Sequence, residues 1–271
     1  MKVLEFLARL LFSNLTNEGL IFKVFGSIGE NGKLELGNPI PVFLLAFLWM
    51  IASYLIGSIN FSILISKLAF NDDIRKYGSQ NAGSTNMNRV YGAKLGIFTL
   101  VGDVSKGIVT VLLAKLIFGN NVAAFCGFCC MLGHCFPIYY KFKGGKGVAT
   151  AGGVILALEP ISGLCTLLIF VIVTLGMHYV SLGSIMAGFF YPILLKNIYN
   201  ILFNNSPTAL MSISAVGMAI LLIARHHSNI GRLLKGTENK FYLKKKKKES
   251  DASANAEAPR SLHHIDDEEE N

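Results

Sequence analysis

Charged side chains are scarce in this sequence. Asp, Glu, Lys and Arg make up 15% of its 271 residues, against about 25% in an average soluble domain, while 52% are hydrophobic. That balance excludes an ordinary water-soluble enzyme. It also argues against a nucleic-acid module, because the net charge of +8 comes partly from the 244–248 lysine run and the other basic residues border apolar stretches. Cysteine is sparse too. Cys126, Cys129, Cys130, Cys135 and Cys165 all lie in apolar segments. Cys126 and Cys129 have CxxC spacing, but no second pair follows at a zinc-like interval, so they read as small packing residues with no metal or disulfide role. Familiar catalytic signatures are missing as well. There is no Gly-x-Ser-x-Gly elbow and no His-Glu-x-x-His, and none of the six histidines has Asp five positions on. A nucleotide P-loop is excluded, since Gly147 follows Lys146 and Tyr140 stands where its first glycine is required.

What the chain does have is long apolar runs, of which about 20 residues are needed to cross a bilayer core. They fall at about 41–64, 95–118, 122–140, 148–158, 161–177, 184–203 and 209–224. The fourth is marginal in length, so seven spans are expected, with six as the fallback. The fold class expected is therefore an all-α integral membrane protein. Residues 1–40 read as an N-terminal extension containing a surface-lying amphipathic helix, with a Gly/Asn-rich loop over 26–38. Residues 41–238 form the polytopic domain. Residues 239–271, a lysine block followed by an acidic block, read as a disordered cytoplasmic tail that favours anionic lipid.

Charge orients the spans. Lys67, Arg75, Lys76, Arg89, Lys94, Lys141, Lys143, Lys146 and the residues after Arg225 share one set of connections. The opposite set, around Gly119, Glu159 and Asn204, is nearly free of Lys and Arg. The positive-inside rule then places the start of the first helix outside and the C-terminus in the cytoplasm.

With that topology, six polar clusters share the cytoplasmic rim. They are Ser58 and Asn60; the hydroxyl- and amide-rich 75–89 segment; Asp103 with Lys106, three residues apart on one helical face; His134 with the 141–147 lysine/glycine loop; Ser181 with Ser184; and Arg225-His226-His227-Ser228-Asn229-Ile-Gly-Arg232. Each has a plain alternative: the loop as a topogenic basic patch, Asp103 and Lys106 as a structural ion pair, His134 as a buried hydrogen-bonded residue. Together they have the chemistry of a phosphate site, with cations for charge and hydroxyls, amides and glycine N–H groups for geometry.

Read in order, these motifs resemble a known family. Tyr54-Leu-Ile-Gly57-Ser58-Ile, Asp73-Ile-Arg75-Lys-Tyr-Gly-Ser79-x-Asn81-x-Gly-x-Thr85-Asn86-x-x-Arg89, Asp103-x-x-Lys106-Gly, Gly133-His134-x-Phe-Pro137, Lys141-Phe-Lys143-Gly-Gly-Lys146-Gly-Val-Ala-Thr150, Tyr179-Val-Ser-Leu-Gly-Ser184 and Arg225-His226-x-x-Asn229-Ile-x-Arg232-Leu-x-x-Gly236-Thr-Glu238 are similar to those of the bacterial membrane acyl-phosphate:glycerol-3-phosphate acyltransferases. The chain departs from the family at Asn60, where proline is usual, and at Gln80, where glycine is common.

The resemblance implies transfer of a fatty acyl group from acyl phosphate to the 1-hydroxyl of sn-glycerol 3-phosphate, giving lysophosphatidic acid and phosphate, the first step of phospholipid synthesis. It implies a multi-pass protein of the bacterial cell membrane without metal, nucleotide or other cofactor, linked functionally to an acyl-phosphate-forming enzyme. Among the residues, Lys106, Arg75, Ser58 and the loop residues Lys141, Gly144, Gly145, Lys146 and Gly147 are expected to hold one or both phosphates. Ser79, Asn81, Thr85 and Asn86 would orient substrate, as would Asp103, His134 and Ser184 from the neighbouring clusters. His226, Asn229 and Arg232 would close the site, with Lys106, Ser58, Arg75, His226 and Asn229 the catalytic set. The proton acceptor is left open between His134, His178, His226 and the acceptor's own phosphate. A polytopic carrier for a phosphorylated solute is the rival reading.

Overall fold

The computed structural model describes residues 26–28, 34–36 and 40–241, so the expected N-terminal amphipathic helix and the charged tail lie outside the described residues, apart from a few positions at their edges. The elements are strands β1 (Gly26–Ile28) and β2 (Leu34–Leu36) and helices α1 (Ile40–Ser58), α2 (Phe61–Phe70), α3 (Ser84–Tyr91), α4 (Ala93–Phe118), α5 (Asn120–Cys135), α6 (Val148–Leu158), α7 (Pro160–Met177), α8 (Val180–Phe203), α9 (Ala209–Arg225) and α10 (His227–Leu234). Single 3₁₀ turns cover Ile74–Lys76 and Ile138–Tyr140. Two compact units result, one of residues 1–60 with 102–241, the other of 61–101 with 242–271.

β1 and β2 pair antiparallel, Ser27 opposite Glu35. A loop was expected there; Asn31-Gly32 between two short apolar segments is a hairpin signal that composition alone passes over.

Length and hydropathy qualify α1, α4, the Asn120–Tyr140 segment, α7 and α8 as membrane spans, and α9 with α10, bent by 56°, as a sixth. The fourth apolar stretch, α6, is helical as expected, but 11 residues reach only about 16 Å, roughly half of the hydrocarbon thickness. It starts after the lysine/glycine loop and stops before Glu159-Pro160, so its sequence allows no more. The first span ends at Ser58, short of the expected Leu64, and α2 begins afresh at Phe61.

In the larger unit α5 is the central helix: 61% of its apolar window is buried, against 22% for α1, α7 and α8. It packs on α1, α6 and α9, while α8 packs on α7 and α9 and α6 on α7. Lipid tails are as apolar as leucine, so helices associate here through close backbone packing, which needs small residues. Two crossings show it. A Cβ on Gly57 of α1 would meet Cys130 O at 2.0 Å, and one on Gly133 of α5 would meet Tyr54 O at 2.1 Å. A Cβ on Gly107 of α4 would meet Thr150 O at 2.6 Å, and one on Gly153 of α6 would meet Val104 O at 2.2 Å.

The bundle has two unlike ends. At one, Tyr199 donates to Glu159 Oε1 (2.7 Å), Thr208 to Asn121 Oδ1 (2.5 Å) and Lys115 to Leu158 O (3.1 Å), tying the α4–α5, α6–α7 and α8–α9 junctions. At the other, the α5–α6 junction meets the end of α9 and the α7–α8 junction meets the segment after α10, and there most of this unit's basic residues gather.

The crossings are testable by melting the detergent-solubilised protein. Gly133→Val should cost at least about 1–3 kcal/mol, because backbone cannot move aside for the new atoms. Gly152→Ala, whose Cβ meets nothing within 4 Å, should be neutral or stabilising by up to about 1 kcal/mol.

Candidate active site

A charged group at membrane depth needs partners, and Lys106 has four. Its Nζ lies 2.8 Å from Asp103 Oδ1, 3.0 Å from Gly57 O, 2.7 Å from Ile59 O and 2.9 Å from His134 Nδ1. An ammonium has three N–H groups, so these contacts already saturate it. The two carbonyls belong to the C-terminal end of α1, where helix carbonyls lack partners and the dipole favours a cation. Lys106 therefore caps α1 and explains why that helix stops at Ser58. Ser58, buried, donates back to Tyr54 O at 2.9 Å. His134 Nδ1 also lies 3.3 Å from Asp103 Oδ1, so the three side chains form one buried cluster.

The α5–α6 connection wraps over this cluster. Lys141 and Phe142 are both left-handed (φ 56° and 58°), as is Gly147 (φ 79°), so the chain doubles back tightly. Gly144 is required by packing: its Cβ would lie 2.1 Å from His134 O. Gly145 N–H donates to that same carbonyl at 3.1 Å. From α9, Arg225 donates through Nε to Gly145 O and through its terminal nitrogen to Gly144 O, both at 3.1 Å, and its guanidinium carbon lies 5.2 Å from the centre of the Phe136 ring. Lys141 and Lys143 are exposed and Lys146 half-buried. α6 starts directly after Gly147, so first-turn amides at the positive end of a helix stand beside Lys146. Thr150 Oγ1, in that turn, is buried without a hydrogen-bond partner.

The loop is fastened to the C-terminal elements. Lys146 Nζ bonds to Asn229 Oδ1, and Asn229 Nδ2 donates to Glu238 Oε1 at 2.6 Å. The same carboxylate accepts from Ser181 (2.9 Å) and, through Oε2, from Arg232 Nε (2.6 Å). Burial alone would raise the Glu238 carboxyl, but the donors from Asn229, Arg232 and Ser181 outweigh it and hold the group below the usual carboxylate range. Phe241 N–H closes the clasp on His178 O at 2.7 Å. His226 is buried and its Nδ1 faces Leu222 O at 2.7 Å; a carbonyl only accepts, so Nδ1 carries the proton and Nε2 is the nitrogen left for chemistry. Ser184 Oγ turns back to Val180 O at 2.8 Å.

In the smaller unit Asp73 caps the 3₁₀ turn and holds Arg75 Nε and its terminal nitrogen at 2.9 and 2.6 Å. The Arg75 hydrogen bonds outweigh partial burial and keep the Asp73 carboxyl below its ordinary value. Asn86 organises the loop before α3: it accepts from Ser79 N–H (2.9 Å) and donates to Tyr77 O (3.0 Å) and Ile74 O (3.3 Å). Gln80 is left-handed (φ 58°), a conformation glycine takes more readily. Ser79 and Thr85 are exposed and Asn81 half-buried.

Of the residues singled out from sequence, Ser58, Asp103, Lys106, His134, the 141–147 loop, Asn229 and Arg232 thus belong to one hydrogen-bonded end of the larger unit, with His226 beside them. Arg75, Ser79, Asn81, Thr85 and Asn86 make a separate group within the smaller unit. Tyr54, Ser181, Arg225 and Glu238 are organising residues that the sequence showed only as members of motifs or polar clusters, with no individual role. The signal for Arg225 was a guanidinium at the end of an apolar span.

The sequence profile of the glycerol-3-phosphate acyltransferases matches residues 47–236. The chain belongs to this family. It is 43% identical over 197 residues to the glycerol-3-phosphate acyltransferase of Syntrophotalea carbinolica, covering 72% of this chain and 97% of that one. It is 40% identical to glycerol-3-phosphate acyltransferase 2 of Bacillus anthracis, over 72% and 98% of the two chains. The fold is similar to the crystal structure of PlsY, an integral membrane glycerol 3-phosphate acyltransferase, in its glycerol 3-phosphate form, with TM-score 0.67, 38% identity and coverage of 73% of this chain and 96% of that one. The protein is accordingly an integral membrane acyltransferase.

The Glu238 clasp predicts a pH response. A carboxyl depressed on folding stabilises above its ordinary value of 4.5, and that contribution is lost as the pH falls below it. The melting temperature of the parent should exceed that of Glu238→Gln at neutral pH, and the gap should close as the pH drops below about 4.5. A gap that stays constant with pH would contradict a charged clasp.

Proposed function

We propose that this acyltransferase moves a fatty acyl group from acyl phosphate to the 1-hydroxyl of sn-glycerol 3-phosphate, giving lysophosphatidic acid and inorganic phosphate at the cytoplasmic face of a bacterial cell membrane. The observation that carries the reading is the 141–147 loop: left-handed turns, glycine backbone, three lysines and the first turn of α6 converge over a buried Lys106–Asp103–His134 cluster. Such a cradle suits a phosphate on a lipid-like substrate. Orientation follows from charge, since Lys141, Lys143, Lys146, Arg225 and Arg232 crowd one end of the bundle.

Acyl phosphate is an activated mixed anhydride, so positioning and charge neutralisation do most of the work. The acceptor's 1-oxygen attacks the acyl carbonyl carbon, the carbon–oxygen bond to phosphate breaks, and its electron pair leaves with the phosphate. The hydroxyl proton passes to the acceptor's own phosphate in this proposal: among the described residues no carboxylate pairs with His226, and His134, which does face Asp103, is buried with the same nitrogen against Lys106. Lys146, Lys141 and Lys143 neutralise phosphate charge, and Asn229 and Arg232 border it. Lys106, saturated by Asp103, His134 and the end of α1, acts from beneath by fixing the backbone on either side of Ser58. Arg75, Ser79, Asn81, Thr85 and Asn86 enter the proposal through the family motif they match. The reaction balances with no cofactor. Residues 1–40 and 239–271 flank the catalytic domain as additions to it.

The test is phosphate release by purified protein given palmitoyl phosphate and glycerol 3-phosphate, one phosphate for each lysophosphatidate formed. Lys146→Ala should lower kcat/KM by about 10²-fold. Equal turnover with acyl-CoA, or transport of labelled glycerol 3-phosphate without acyl phosphate consumption, would sink the donor assignment. His226→Gln should reduce kcat less than about tenfold if the acceptor phosphate takes the proton; a fall of 10³ or more would move that role to His226.

A further inference from the structure

A guanidinium presents five N–H donors in a rigid plane and keeps its charge at any physiological pH, so the groups it faces reveal its use. Arg225 faces backbone. Its two bonds fall on successive carbonyls, Gly144 O and Gly145 O, and its face lies on Phe136, whose own carbonyl is held by Tyr54 OH at 2.7 Å. Two successive carbonyls held by one fork fix two successive peptide planes. In a trans peptide C=O and N–H point opposite ways. The 144–145 plane therefore sends Gly145 N–H to His134 O, as observed at 3.1 Å, and the 145–146 plane turns Lys146 N–H away from Arg225.

Carbonyl oxygens are the wrong pole to show an anion. A glycine-rich loop left to itself exposes oxygens and amides with equal ease, because glycine restricts neither orientation. Resting on the phosphate-cradle reading above, we propose that Arg225 is a positioning residue for the 141–147 loop. It draws two carbonyls out of the cradle, so that the Lys146 side chain and the first-turn amides of α6 are what a substrate phosphate meets, and it takes no phosphate itself.

Lysine separates this role from direct phosphate binding. An ammonium keeps the charge a phosphate needs but loses the planar fork that holds two carbonyls. Arg225→Lys should therefore behave like Arg225→Gln, each raising KM for one phosphate substrate about tenfold and leaving the other KM unchanged. Arg225→Lys matching the parent, or both KM values shifting together, would overturn the proposal. Hydrogen exchange on the substrate-free, full-length protein in detergent gives a readout independent of donor identity. Arg225→Gln should speed exchange at the Gly145 amide, held by His134 O in the parent, while leaving the amides of α5 and α8 protected. Unchanged loop exchange rejects the positioning role even if palmitoyl phosphate proves not to be the donor. Faster exchange throughout α5 and α8 rejects it in favour of a general loss of fold.

Discussion

A lysine ammonium inside a lipid-facing bundle has to be matched by acceptors on every N–H, and in this chain that requirement shapes the end of the bundle where the site lies. Lys106 finds its acceptors in Asp103 on its own helix, His134 on α5 and the last carbonyls of α1. For them to meet, α1 must stop at Ser58, and its end must lie against α5 with no side chain between. Gly57 and Gly133 supply that second condition, since a Cβ at either would overlap backbone across the crossing. Truncating Lys106 would leave Asp103 buried without its cation, a more costly state than an apolar replacement of both. The cluster is thus a scaffold first, and its placement beneath the loop makes it the floor of the proposed site.

Two helix ends of the larger unit are used in opposite senses. The C-terminal end of α1 is closed by a cation from within the protein, while the N-terminal end of α6 is left facing the lysine/glycine loop. A negative dipole end is neutralised internally, and in the proposed function a positive one is kept for the substrate phosphate. The half-length of α6 is consistent with that use. A helix that must cross the membrane has its ends fixed by bilayer thickness, whereas an 11-residue helix enclosed by α5 and α7 begins wherever the loop requires.

How much of this was legible beforehand depended on the kind of interaction. The spans, their order and the marginal length of α6 followed from apolar runs and from Glu159-Pro160, because bilayer thickness is a one-dimensional constraint that a sequence displays directly. Asp103 and Lys106 could be paired on one helical face from spacing alone. What spacing could not show was that Lys106 is already saturated: two of its partners are backbone carbonyls of residues 57 and 59, and a carbonyl carries no residue identity. The same blindness hid the use of Arg225, a member of the last polar cluster, because its partners are the carbonyls of two glycines. It also hid the clasp on Glu238, which joins residues of α8, α10 and the segment after it across long sequence gaps. The hairpin at residues 26–36 was missed for a different reason, a short turn signal outweighed by polar composition.

The clasp completes the logic of the loop. Lys146 is half-buried, and its ammonium is held by Asn229, which is in turn aimed by Glu238 together with Ser181 and Arg232. A flexible four-carbon side chain at the mouth of a membrane site would otherwise sample many rotamers, and immobilising it when substrate arrives would weaken binding. Fixing it beforehand through a neutral amide leaves its positive charge undiminished, as a direct contact with the Glu238 carboxylate would not. Asn229 therefore does what neither a carboxylate nor a hydroxyl could do as well: it transmits orientation from an anion to a cation and keeps their charges apart. Arg225 does the complementary task on the loop backbone, so that the lysine and the peptide groups are set by different residues of the same short stretch at the end of α9.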